Sequence, residues 1–266
     1  MGRLLLLLRL EGPLQSWGTR ARWDVRDTAL EPTKSGVIGL IGCALGLRRR
    51  NVELESLDRS LQFAVRVDRP GLVATDYHTV SGYHRTAAGD YRVGGAAGQT
   101  VRSLAKACEY DENTIVSLRD YLHDASFLVA LASDDEMLLR QLAGEASHPE
   151  WRGNLRRPAW PLYLGRRSCV PTRPVFARLT RDYECLEDAL RGEPWEPWEL
   201  WEEPREPWVG AHRRGRVPSA LDAWVEDTSG EIERQDALRV NVVRFYGFRR
   251  CRHVSIPTSS LPRGQL

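Results

Sequence analysis

LLLLLRL at Leu4–Leu10 is a continuous apolar run interrupted by one arginine, and it stops against Gly12-Pro13. A strand buried on both faces reads this way, because all of its side chains must be apolar rather than every second one. The run is too short to cross a bilayer or to form the apolar region of a signal peptide, and acidic Glu11 follows at once. A central strand leading into a loop is the expectation. Downstream, PTKSGVIGLIGCALGLRRR at Pro32–Arg50 predicts a helix. Pro32 and Thr33 mark its start, while Arg48, Arg49 and Arg50 suit the negative end of its dipole. Gly36, Gly39, Gly42 and Gly46 would weaken such a helix unless a sheet or a ligand comes close to its backbone.

Further out, Leu61–Val67 alternates as a second strand, followed by a long polar stretch from Asp68 to Glu112. That stretch lacks strong periodicity, and unpatterned segments of such length are usually functional or disordered. Ile115–Arg119 and Ser126–Ala132 predict a hairpin turning through Tyr121–Asp124. Asp134–Ala146 predicts an amphipathic helix with Asp134 near its N-cap, and Pro161–Tyr163 an edge strand. The order is βαββαβ, the logic of an α+β, modified ferredoxin-like or RNA-recognition-like domain with an elaborated hairpin. Beyond about residue 170 proline and tryptophan become frequent. Leu238–Phe245 and Arg250–Ile256 there predict paired strands, hence a smaller, mostly β C-terminal region.

A hydrophobic fraction of 42% and a charged fraction of 28% are those of an ordinary globular chain. The net charge of +2 conceals segregation: nine basic against four acidic residues lie in 1–50, and five arginines with no acid lie in Arg239–His253. Glu193–Trp208 carries six glutamates against Arg205 alone. One anionic partner and one separate face fit this pattern. All but Lys34 and Lys106 of the 38 basic residues are arginine. Arginine grips phosphate bidentately and stacks on bases, although GC-rich coding also explains the excess. Five scattered cysteines form no disulfide framework or zinc motif, which fits a reducing cytoplasm and no metal or other cofactor.

Four sites carry candidate chemistry. The loop Gly12–Gly18 (GPLQSWG) with Arg20, Arg22 and Arg26 mixes an aromatic, amides and guanidinium groups, as single-stranded RNA binding requires. Trp17 serves equally well as a core residue. Thr33, Lys34, Ser35 and Gly36 echo a phosphate-binding loop, but the upstream glycines are missing, which argues against a nucleotidase. A helix start remains a phosphate site in principle, or simply a capped helix. The loop Leu164–Ser168, with Arg166 and Arg167, is a further basic site or an ordinary surface loop. Tyr77-His78 near Lys106 is the one plausible group for metal-independent RNA cleavage. The tryptophans Trp195, Trp198, Trp201 and Trp208 in the acidic segment suggest a protein-contact face or a stabilised loop.

Taken together, GPLQSWG, PTKSGVIGLIGCALG, DYHTV at Asp76–Val80, YLHDASFLVAL at Tyr121–Leu131 and PLYLGRRSC at Pro161–Cys169 resemble the Cas-five family of type I-E CRISPR Cascade complexes. The resemblance is ordered from Leu4 to about Pro174. It implies a ferredoxin-like RNA-binding domain over 1–172 with a thumb-like β-hairpin at about 76–112, and a small C-terminal region over 173–266. The acidic Trp-rich segment at 193–208 departs from the family pattern. The implied function is non-catalytic: to cap the 5′ handle of the guide CRISPR RNA and anchor the backbone and large subunits, with target DNA read indirectly by base pairing. A type I-C relative cleaves precursor RNA with adjacent Lys and His, a pair missing here because Ala107 follows Lys106. The handle is then expected over Thr33–Gly36, beside Gln15, Ser16 and Trp17. Arg20, Arg22, Arg26, Arg166, Arg167 and Ser168 would flank it, with His78, Arg85, Arg92 and Arg102 on the thumb and Arg244 from the C-terminal strands.

Overall fold

The leucine run forms strand β1 (Leu5–Glu11), and it divides its side chains between two cores. Leu4, Leu6, Leu8 and Leu10 enter one cluster, Leu5 and Leu7 the other. That division is why the run is apolar without alternation. The computed structural model describes residues 2–19, 25–80, 84–85, 91–92, 115–196, 201–202, 213–214, 217–240 and 244–264.

After β1 come the short β2 (Leu14–Gln15) and β3 (Val25–Arg26), then helices α1 (Lys34–Leu45) and α2 (Glu53–Ser60). Strands β4 (Gln62–Arg69) and β5 (Leu72–Val80) follow, then the two-residue β6 (His84–Arg85) and β7 (Tyr91–Arg92). Strands β8 (Ile115–His123) and β9 (Ser126–Ala132) lead to α3 (Glu136–Ala143), β10 (Phe176–Thr180) and α4 (Leu186–Gly192). The chain ends with β11 (Trp201–Glu202), β12 (Arg213–Arg214), β13 (Ala220–Glu226), β14 (Ile232–Val240) and β15 (Arg244–Pro257).

The fold is α+β and dominated by antiparallel sheet. Seven strands run in the order β10-β1-β9-β4-β13-β15-β14, every neighbouring pair antiparallel. Residues of α1, α2 and α3 pack on one face, with Phe63, Val65, Phe127 and Val129. Leu186, Ala189 and Leu190 of α4 cover the other, with Ala64, Leu128 and Ala130. The C-terminal strands join this same sheet, because Trp224 of β13 lies opposite Val65 of β4.

Several sequence expectations need correction. The predicted hairpin between Ile115–Arg119 and Ser126–Ala132 does not form. Strand β8 pairs instead with β5, from Leu72↔His123 to Val80↔Ile115, while β9 sits between β1 and β4. The chain turns out of one sheet and into the other at Asp124, whose φ of 54° is left-handed. Gly71 (φ 74°) makes the matching corner between β4 and β5, where a Cβ would stand 2.5 Å from the His123 carbonyl. The β4–β9 pair thus continues as a two-stranded ribbon leaving the main sheet, with β2 and β3 along the free side of β8.

Pro161–Tyr163 is irregular, and the edge strand is Phe176–Thr180. Prolines 158 and 161 have no N–H to offer a ladder, and their segment seals the end of α1 instead: Arg152 and Ala159 donate to the carbonyls of Leu45 and Ala44 (3.0 and 2.8 Å). Helix α1 stops at left-handed Gly46, so Arg48–Arg50 lie beyond its end. Helix α3 spans two residues fewer at its start and three fewer at its end than expected (136–143 against 134–146), capped by Asp135 rather than Asp134 and closed by left-handed Gly144. The C-terminal pairing also differs. Val240 pairs with Arg244, both inside the predicted first strand, and Cys251–Ile256 pairs with β13 on its other side. Trp195 is core rather than a contact face: it is buried, and its indole donates to the Asp68 carbonyl at 3.1 Å.

Candidate nucleic-acid interface

Two of the loops singled out in the sequence are held against each other. Ser16 N donates to the Leu164 carbonyl at 3.0 Å, and Leu164 N to that of Cys169 at 2.7 Å. Gly165 adopts φ 104°, and a Cβ there would overlap the Ser16 carbonyl at 1.9 Å. Only glycine tolerates this approach, and it sets the position of Arg166. Within the first loop, Gln15 donates to the carbonyls of Leu10 (3.2 Å) and Ala125 (2.8 Å) and accepts from the Trp17 indole (3.0 Å). Trp17 is 1% exposed and packs on Gly36. Ser16 is buried and its hydroxyl donates to the Asp120 carbonyl. These three residues therefore hold the loop: Trp17 takes the core position that was one of its two readings, and Ser16 and Trp17 line the cleft described below.

The helix start is likewise occupied. Thr33 Oγ1 caps Gly36 N at 3.2 Å, and the backbone N–H of Lys34 donates to Asp236 Oδ2 at 2.8 Å. An internal carboxylate stands where a phosphate was expected. Lys34 is itself buried, its ammonium on both oxygens of Glu226 (2.9 and 3.0 Å). Neither the amide nor the ammonium of Lys34 is free for RNA. Ser35 and Gly36 still line the neighbouring cleft.

That cleft, ≈ 460 Å³, runs between the two loops and α1 and is bordered by Arg26, Arg49, Arg166 and Tyr246. Across Arg166 it meets a second hollow formed by His78, Arg119, Tyr121, His123, Arg167 and Ser168. The register explains the meeting. Arg26 of β3 lies opposite Arg119 of β8, and Arg119, Tyr121 and His123 share one face of that strand with His78 and Asp76 of β5. Arg166 stacks on Tyr121, 4.6 Å from the ring centroid, and donates to the Arg26 carbonyl at 3.1 Å. Its other terminal nitrogen, Nη1, is buried with no hydrogen-bond partner among the described residues. Burial, then the neighbouring Arg119 and Arg166 guanidinium groups, pull the Arg26 guanidinium below its ordinary value. Such mutual repulsion is relieved by an anion.

Of the other expected residues, His78 faces this hollow with Asp76 3.7 Å away. Tyr77 points to the opposite face of β5, so the Tyr77-His78 pair cannot converge on one bond. Arg85 and Arg92 fall in the short β6–β7 ladder, and Arg244 opens β15 opposite Val240. Arg20, Arg22, Arg102 and Lys106 lie outside the described residues. Among the described residues no group of His, Cys, Asp and Glu could hold a metal ion, and no helix is long and apolar enough to cross a membrane. Tyr121 and His123 were missed because the expected turn fell on them, and Arg119 because it closed the predicted strand and had no site neighbour there, although the period of two of the three was visible.

Residues 5–250 match the family model described as CRISPR-associated protein (Cas_Cas5). The chain belongs to the Cas5 family. This Cas5 chain is 37% identical over 205 residues to the CRISPR system Cascade subunit CasD of Escherichia coli (strain K12), covering 72% of the chain and 78% of that relative. Among solved structures it resembles a chain of a CRISPR RNA-guided surveillance complex (TM-score 0.63, 30% identity, 98% and 95% of the two chains). A second, titled crystal structure of Cas protein, gives a TM-score of 0.62 at 31% identity and covers 98% of both.

Proposed function

We propose that this Cas5 chain is a non-catalytic subunit of a Cascade-type surveillance complex that binds the 5′ handle of the guide CRISPR RNA. The backbone and large subunits dock on it, and target DNA is engaged through them. The observation that carries the proposal is the Arg26–Arg119–Arg166 cluster, whose like charges lie where the cleft, lined also by Asp27, meets the second hollow. Kinship with CasD and with a surveillance-complex chain supports the same function. The order β10-β1-β9-β4, with α1 and α2 after β1 and α3 after β9, supports a ferredoxin-like description of the RNA-binding body. The β5–β8 ribbon, which includes the start of the segment at about 76–112, supports a thumb-like hairpin there.

RNA phosphates then follow Arg26, Arg119, Arg166 and Arg167, rather than the start of α1, with His78 and His123 beside them. Arg119→Ala with Arg166→Ala is expected to weaken binding of handle RNA. The slope of log K against log salt should fall by about 1.4, because each of the two phosphates no longer neutralised accounts for roughly 0.7. An unchanged slope in fluorescence anisotropy titrations overturns the placement. Purified chain incubated with repeat RNA without metal should leave it intact. A specific product that disappears with His78→Ala would favour the type I-C-like endoribonuclease instead.

A further inference from the structure

Three glycines lie within α1 and a fourth, Gly46, caps it; all but one have an internal explanation. A Cβ at Gly36 would meet the Trp17 ring at 2.8 Å, one at Gly42 would meet Leu54 at 2.4 Å, and Gly46 has φ 81°. Gly39 differs: a Cβ there would meet nothing within 4 Å. A mid-helix glycine costs about 1 kcal/mol against alanine, and at Gly39 no contact among the described residues offsets it.

Gly39 lies where the arginine-bordered cleft joins a larger cavity of ≈ 690 Å³. Cys43 continues the floor, Trp160 and Tyr163 stand in its wall, and the exposed Arg49 and Arg167 are at its edge. Trp160 is 40% exposed. Among the described residues no carboxylate lines the space. An apolar, aromatic hollow with two cations at its edge, opening from an arginine-rich cleft, complements a flat uncharged ring bearing phosphates on either side.

We infer that this cavity takes one unstacked nucleobase of the bound RNA, stacked on Trp160, with the adjoining phosphates on Arg49 and Arg167. Gly39 leaves the space through which the nucleotide passes from cleft to cavity. The inference rests on the RNA-binding function proposed above, and the two fail separately.

The test uses the full chain and handle RNAs carrying the fluorescent base 2-aminopurine at one position at a time. Binding should quench one position several-fold. Trp160→Ala should restore that signal, and so should Gly39→Leu, which fills the junction while making the helix more stable. Both variants should keep the parent salt slope, since neither removes a cation. If RNA binds with that slope and no position responds to either variant, the cavity is not a base site. If the parent chain binds no RNA, the underlying function fails with it.

Discussion

Arg66→Ala is expected to cost the fold about 3–5 kcal/mol, the range for removing one partner of a buried ion pair. Arg66 is fully buried on β4, on the face covered by α4. Its guanidinium pairs with Asp68 and donates to the carbonyls of Leu190, Glu193 (2.9 Å) and Pro194 (3.3 Å). Asp68 also pairs with Arg9, and its carbonyl accepts the Trp195 indole. Truncation leaves the buried Leu190 and Glu193 carbonyls without this donor, while the exposed Pro194 keeps Arg9, and it loosens the start of the acidic Trp-rich segment. Urea denaturation measures the loss, and limited proteolysis near residues 193–196 should accelerate with it. Because the arginine cluster borders a cleft on α1, across the sheet, RNA affinity per folded molecule should stay at the parent value. A loss below about 1 kcal/mol would mean the network is dispensable, since even single buried hydrogen bonds approach that size.

How legible all this was depended on which physical signal each element used. The run at Leu4–Leu10 was decisive because burial on both faces leaves an unmistakable pattern, and Leu5 and Leu6 do enter different cores. The start of α1 was legible through Thr33, which caps it as expected. Pairing was not legible. Ile115–Arg119 and Ser126–Ala132 are adjacent in sequence and β-forming, so a local hairpin was the natural expectation. What overrides it is one non-glycine residue, Asp124, in the left-handed region, with Gly71 at the same level on the other strand. Nothing local to Asp124 distinguishes a corner between sheets from a hairpin turn. The same error concealed Tyr121 and His123, by placing them in a turn, and with them the face they share with Arg119. Charge partners were equally hidden: Lys34 finds Glu226, and its amide finds Asp236, about two hundred positions along the chain.

Those partners give the second large effect. Lys34→Met should destabilise the chain by about 3 kcal/mol without lowering the salt slope of RNA binding. Without the ammonium, Glu226 keeps the Phe63 amide as a donor but no longer has its cation, and Asp58 stands close by in a buried site with Oδ1 unpaired among the described residues. Burial already pushes the Asp58 carboxyl above its ordinary value, and the Lys34 charge opposes that shift. The native state therefore holds this proton to higher pH than the unfolded chain does. The Asp58 contribution to stability is greatest at low pH and declines as pH rises through the folded-state value. Without Lys34 the folded value rises further, so the penalty should grow as pH rises above the parent's folded-state value. Adding Glu226→Gln should recover a large part of it, because the pair rather than the lysine alone is what the site requires. The opposite outcome is equally clear. A Lys34→Met chain as stable as the parent, with a salt slope lower by roughly 0.7, would return the first phosphate to the start of α1 and displace Asp236 from it.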